Sequence, residues 1–267
     1  MAMSSFRATS EHITAFARDG FFVAPSLLDA VEIGLLADIA RADRAIAAEA
    51  YGRADGEGGT VKLLVKNELA EDDIYGAVVR SERIVRTMEQ LLDDEVYHYH
   101  NKMILKEAKV GGAWAWHQDY GYWYDNGCLL PDMGSCLIAV DRATRENGCL
   151  QVLAGSHRMG RVNRVEIGDQ TGADPERVAA ACERLELVYC ELQPGDAIFF
   201  HANLLHRSDQ NRSSHPRWAF ICCYNARRND PYKESQHPRY SPLDVWPDEQ
   251  IELVGRAQWQ RMQNSAK

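Results

Sequence analysis

The chain has 267 residues, 45% hydrophobic and 26% charged, an ordinary globular composition that suits one large β-rich domain. Its formal net charge of −9 argues against a nucleic-acid partner, which requires a concentrated basic surface. No apolar run approaches a membrane span and the start lacks the basic-then-apolar order of a signal peptide, so a soluble cytoplasmic protein without a membrane partner is expected.

Residues 10–19 combine a cap candidate in Ser10, apolar Ile13, Phe16 and Ala17, and a stop at Gly20, the pattern of a short amphipathic helix. Phe21 to Ala24 reads as a strand. Residues 27–48 and 82–92 carry apolar residues at helical spacing, and the glycine content of Gly52 to Gly59 predicts a flexible surface loop between them. From residue 96 the pattern changes to short β-rich runs separated by Gly, Pro, Asn and Asp: 96–106, 113–119, 135–140, 150–153, 186–192, 197–201 and 217–224, with a helix inserted at 175–184. Many short strands with turns between them predict a mainly β fold with flanking helices, an antiparallel sandwich or jelly roll. The expected organisation is a single domain over 1–267: a helical part over about 1–95, a β core over about 96–228, and a covering segment over 229–267. That last segment contains Pro231, Pro238, Pro242 and Pro247 and a final helix near 248–261. Seven cysteines without CxxC spacing point to reduced, mostly buried thiols rather than a disulfide framework or a zinc site.

The chemistry concentrates in His117-Gln118-Asp119 and the distant His206. Two imidazoles and one carboxylate are the ligand set that holds non-heme Fe(II) with positions left open. On a strand, residues i and i+2 share a face, so His117 and Asp119 can grip one metal while Gln118 points away. His206 must then come from another strand. It follows the turn signal Pro194-Gly195-Asp196 and the apolar run Ala197 to His201.

Trp116-His117-Gln118-Asp119, Glu146 to Val152 with Gly155-Ser156-His157, Pro194-Gly195-Asp196, and His206-Arg207-Ser208 up to Arg217 together resemble the phytanoyl-CoA dioxygenase family. The resemblance covers roughly residues 10–240. It implies a double-stranded β-helix of the jelly-roll, cupin-like kind, with Fe(II) as cofactor and 2-oxoglutarate and O2 as co-substrates. It further implies an oxidoreductase that hydroxylates an unactivated C–H bond of a small-molecule substrate, with release of succinate and CO2. Carried over residue by residue, it makes His117, Asp119 and His206 the metal ligands, Arg217 the partner of the 2-oxoglutarate distal carboxylate, and Ser208 a hydroxyl donor to that carboxylate. Related halogenases replace the carboxylate ligand by a small residue; Asp119 is present here, which favours hydroxylation. Strand parity places Arg217, Ala219, Ile221 and Cys223 on one face independently of the resemblance.

Along 96–106 the even positions His98, His100, Lys102, Ile104 and Lys106 form a more polar face, and His100 and Lys102 are further co-substrate candidates beside the reading of a solvated strand face. The aromatic stretch 120–124 reads as a loop. Trp123 and Tyr122 in it are substrate candidates, Trp123 because the ectoine hydroxylase branch of the family has a tryptophan nearby. His157 and His201 read as structural, and Trp114 and Trp116, sharing parity with Gln118, as packing under the helices. Two other function classes remain open: a zinc-dependent hydrolase using the same ligand set, and a non-catalytic metabolite-binding or sensing protein on the same fold.

Overall fold

A computed structural model describes residues 6–56 and 58–265 of the chain. The first part alternates helices and strands: α1 (Ser10–Asp19), β1 (Phe21–Ala24), α2 (Ala30–Ala42), α3 (Arg44–Glu49), β2 (Tyr51–Ala54), β3 (Thr60–Lys66), α4 (Ile74–Arg80) and α5 (Glu82–Leu92). It continues through β4 (Val96–Lys106), β5 (Trp114–His117), α6 (Asp119–Asp125), β6 (Met133–Ala139), β7 (Leu150–Leu153), β8 (Arg164–Ile167), β9 (Gln170–Ala173), α7 (Pro175–Cys182) and β10 (Leu187–Cys190). The last strands are β11 (Ala197–His201), β12 (His206–Ser208) and β13 (Arg217–Ala226), followed by a covering segment and α8 (Gln250–Ser265).

Seven strands form one sheet in the order β1-β11-β6-β13-β4-β3-β2, and four form a second in the order β10-β7-β12-β5. Alternation along β13 shows how the layers are held. Phe220, Cys222 and Tyr224 join Met103, Ile138 and Phe199 in a core that also takes Leu36, Val78 and Met88 from the helices. Ala219, Ile221 and Cys223 turn the other way and fill the space between the sheets with Leu137, Val152 and Leu204. Each large apolar side chain withdrawn from water in this way contributes about 1.5–3 kcal/mol. The result is the jelly roll with flanking helices that the strand-and-turn pattern predicts.

Several boundaries differ from expectation, each for a local reason. Thr9, not Ser10, caps α1: the His12 N–H donates to Thr9 Oγ1 and the Thr9 N–H to His12 Nδ1, a reciprocal box. The long helical run breaks at Asp43, whose carboxylate accepts from the Ala45 N–H at 2.8 Å, so the residue that ends α2 also starts α3. The expected loop from Gly52 to Gly59 is largely a hairpin, with Tyr51 opposite Leu63 and Ala54 opposite Thr60, and β3 then pairs along β4. The helical N-terminal part thus donates β1, β2 and β3 to the main sheet. A second unexpected hairpin, β8 and β9, turns at Gly168-Asp169, where Gly168 has φ +58°. All seven cysteines are free thiols and only Cys182 is exposed. Among the described residues no helix is long and apolar enough to cross a membrane.

Candidate metal centre

β5 and β12 are neighbours in the smaller sheet, with His117 opposite His206. Asp119 arrives by a route that strand parity does not supply: the strand expected over 113–119 stops at His117, Gln118 keeps an extended backbone (φ −115°, ψ 131°), and Asp119 is the first residue of α6. Gln118 locks this turn. Its Nε2 donates to the carbonyls of Gly160 (2.9 Å) and Asn203 (2.7 Å), and its Oε1 accepts from the Val162 N–H (2.8 Å). The ligand atoms of His117, Asp119 and His206 all lie within 4.8 Å of one another, and all three residues are buried.

The protonation pattern suits a cation. A carbonyl oxygen can only accept, so the contacts of His117 Nδ1 with Ala115 O (2.8 Å) and His206 Nδ1 with Leu204 O (2.9 Å) place the ring protons on Nδ1. Each Nε2 keeps its lone pair, the arrangement in which an outer carbonyl orients a metal-binding imidazole. Burial holds both imidazoles below their ordinary value, His117 down to about 3. Burial alone would raise the Asp119 carboxyl, but Lys102 and then the neighbouring imidazoles outweigh it and hold the group below the usual carboxylate range. Two neutral nitrogens and one carboxylate fit a divalent first-row metal such as Fe(II).

A cavity of about 60 Å³ opens beside this cluster, lined among others by Lys102, Leu137, His206, Ser208, Arg217 and Ile221. Arg217 is 4% exposed and its Nε makes no hydrogen bond. No carboxylate of the described residues pairs with it, and burial lowers its guanidinium to about 10. A buried charged fork with an unspent donor fits a carboxylate. Ser208 Oγ accepts from Lys106 Nζ at 2.9 Å, which brings to the site a lysine that sequence reading placed only on a polar strand face.

Two bulges redirect side chains that parity misplaces. Between β12 and β5, His206 faces His117 but Ser208 faces Trp114. The extra residue on β5 swings Trp114 to the His117 side, where it lines the same cavity; Trp116 does pack under α7 with Val178 and Ala181. On β4, His100 pairs with Cys223 but His98 with Tyr224. Tyr99 is the bulged residue, so Tyr97 and Tyr99 turn into the space between the sheets. His98 takes the other direction, its Nε2 lying 3.3 Å from Asn101 Nδ2, and the expected polar face runs only from His100 onward.

Lys102 Nζ stands 3.8 Å from Asp119 Oδ1. His100 is buried with Nδ1 unpartnered. Trp123 and Tyr122 sit on α6 rather than in a loop. Trp123, 3% exposed, meets Tyr99 (5.5 Å) and His100 (5.7 Å) edge-on. Tyr122 stands edge-on to His117 at 6.1 Å, and its hydroxyl donates to Thr171 O. The covering segment adds a residue that its proline-rich sequence did not single out: His237 stacks on Tyr99 at 4.6 Å and lies 5.2 Å from His100. His157 and His201 pack on each other at 5.4 Å, the first against the Ala17 carbonyl and the second against Phe16.

A family model described as phytanoyl-CoA dioxygenase matches residues 16–219. The chain is 32% identical over 190 residues to an L-proline trans-4-hydroxylase of Streptomyces griseoviridis, covering 65% of this chain and 69% of the relative. It is 26% identical over 250 residues to an ectoine dioxygenase of Bordetella bronchiseptica, covering 86% and 80%. The crystal structure of EctD from S. alaskensis with 2-oxoglutarate and 5-hydroxyectoine superposes with a TM-score of 0.77 at 23% identity, covering 92% of this chain and 90% of the other; at that identity the likeness shows the fold.

Proposed function

The chain belongs to the phytanoyl-CoA dioxygenase family of Fe(II)- and 2-oxoglutarate-dependent oxygenases, and from that premise we propose that it hydroxylates an unactivated C–H bond of a small polar metabolite, with release of succinate and CO2. When bound, iron with 2-oxoglutarate and O2 supplies the oxidising chemistry. In this reading His117, Asp119 and His206 hold the metal, and Lys102 keeps Asp119 ionised. Arg217 takes the distal carboxylate of 2-oxoglutarate as a charged fork, with the Ser208 hydroxyl beside it. His100, Trp123 and Tyr122 border the substrate side, where their rings exclude water and orient the C–H bond.

The observation that carries the reading is that His117 and His206 of the His-Asp-His cluster line one cavity with a buried Arg217 whose Nε has no partner. A zinc hydrolase would use the first and leave the second without a role. Relatives named for proline and ectoine make small amino-acid-like compounds the first to screen. The purified Fe(II)-loaded protein is incubated with 2-oxoglutarate and a panel of free amino acids, ectoine, aminophosphonates and acyl-CoAs, with succinate and hydroxylated product read by mass spectrometry. One compound should raise both in parallel. No succinate above the His206→Ala level with any compound would overturn the reading.

A further inference from the structure

The two faces of β4 line two different cavities. Lys102 and Ile104 belong to the catalytic one, whereas Asn101 and Met103 border a second, of about 360 Å³, beside α3 and α4. The floor of this second cavity is apolar: Leu64, Met103 and Phe220 are buried, and the Tyr75 ring meets Phe220 at 5.7 Å. Its unspent polar atoms are acceptors. Asp43 accepts from the Ala45 N–H at Oδ1 (2.8 Å) and from the Tyr75 hydroxyl at Oδ2 (3.1 Å). Asp73 accepts from the Gly76 N–H at Oδ1 (2.6 Å), and its Oδ2 has no donor among the described residues. Asn101 is 4% exposed, and its Nδ2 meets His98 Nε2 at 3.3 Å, which leaves Oδ1 likewise without a donor. Nearby cations are engaged elsewhere: Lys66 pairs with Glu49 at 2.6 Å, and Arg80 donates to the carbonyls of Ala70 and Leu69. Among the described residues neither Asp43 nor Asp73 has an ion-pair partner, and burial raises the Asp73 carboxyl above its ordinary value.

We propose that this second cavity is a binding site for a small organic ammonium carrying an aromatic or other apolar body. An ammonium has donors and no acceptor, so it can serve the free oxygens of Asp73 and Asn101 together while its charge compensates the carboxylates. An anion would meet Asp43, Asp73 and Glu68 around the same space and be repelled. A neutral alcohol would satisfy one acceptor and leave both carboxylates uncompensated. The Tyr75 and Phe220 rings suit the apolar body and attract the cation beside it. Helix capping accounts for one oxygen of each aspartate, a duty that asparagine performs equally well. It leaves the second Asp73 oxygen and the buried Asn101 carbonyl without a role. The cavity shares no lining residue with the catalytic one, so the site is distinct from those for metal, co-substrate and substrate.

Calorimetric titration of benzylammonium chloride into the full-length, anaerobic Fe(II)-loaded protein tests this, with benzyl alcohol and benzoate as the uncharged and anionic counterparts. The ammonium should bind at a single site, the alcohol at least about tenfold more weakly, and benzoate not at all. Asp73→Asn and Asp43→Asn keep the helix caps, so both should fold, and each should weaken benzylammonium binding about 10–100-fold through loss of one charged acceptor. Asp72→Asn removes the neighbouring exposed carboxylate, which pairs with Arg261, and should change the affinity by less than about twofold. Melting curves of the three variants confirm that they are folded. No benzylammonium binding by the wild type, equal affinity for benzyl alcohol, wild-type affinity in both the Asp43 and Asp73 variants, or an equal loss in Asp72→Asn would each overturn the proposal.

Discussion

Replacing Arg217 by Met separates what the guanidinium does for the ligand from what it does to the fold. Its depression from the ordinary guanidinium value to about 10 by burial, at about 1.4 kcal/mol for each tenfold change in proton affinity, corresponds to roughly 3 kcal/mol spent holding the charge in the ligand-free protein. Solvent screening is slight at 4% exposure. The sign follows from linkage: a base whose folded value is depressed destabilises the native state at every pH below that value, so at pH 7 the full cost is present. Met keeps most of the side-chain volume and removes the charge. The ligand-free variant should therefore be as stable as wild type or up to about 2–3 kcal/mol more stable in urea unfolding, after allowance for imperfect packing. Binding should move the other way. Leaving the carboxylate of 2-oxoglutarate unpaired in this cavity costs about 2–5 kcal/mol, a weakening of roughly 30-fold to several-thousand-fold. Calorimetry on Fe(II)-loaded anaerobic protein reads that loss. A variant that unfolds more easily yet binds 2-oxoglutarate as wild type does would refute the reasoning, since Arg217 would then be a structural cation with a partner on the protein.

Replacing His117, Asp119 or His206 by Ala should abolish the rise in melting temperature that anaerobic Fe(II) gives the wild type, because metal bound to the native state stabilises it by mass action; an unchanged rise in any variant removes that residue from the ligand set. Trp123→Ala should cost about 3–5 kcal/mol of stability through loss of its contacts with Tyr99 and His100, and, because the substrate is held less well, should lower the ratio of hydroxylated product to succinate. A melt lowered with the ratio intact would make Trp123 a core residue alone. Acid should destabilise the ligand-free protein across a defined window. His98 is held at about 3 and His201 and His237 at about 4 by burial, while the unfolded chain takes up these protons near pH 6.5. The native state therefore binds fewer protons between those limits and stability falls as pH is lowered through them. Equal urea midpoints at pH 7 and pH 4.5 would contradict this.

The His-Asp-His cluster was legible in the sequence because its signal is chemical: two histidines and a carboxylate near turn and strand markers, which the pairing of β5 with β12 brings together. The inward face of β13 was legible because alternation from Arg217 through Cys223 is unbroken. What parity could not reveal is where a partner strand inserts an extra residue. Bulges at Tyr99 and on β5 sent His98 outward and Trp114 inward, and they depend on the opposing strand rather than on the local pattern. Asp119 shows the same limit, since a helix begins where the alternating pattern predicts more strand. Lys106 stood in plain view on the polar face of β4, but its meaning lies across the sheet, opposite Arg217 and behind Ser208. His237 reaches Tyr99 only because the covering segment folds back over the barrel, a long-range contact with no local signature.

The most direct test of the central claim follows the oxygen. Fe(II)-loaded wild-type protein is supplied with 2-oxoglutarate under 18O2, and the succinate is examined by mass spectrometry, with Asp119→Ala as the reference. Oxidative decarboxylation at the His117-Asp119-His206 centre predicts succinate carrying one 18O atom in the wild type and none formed by the variant. Succinate without label, or equal amounts from both proteins, would contradict it.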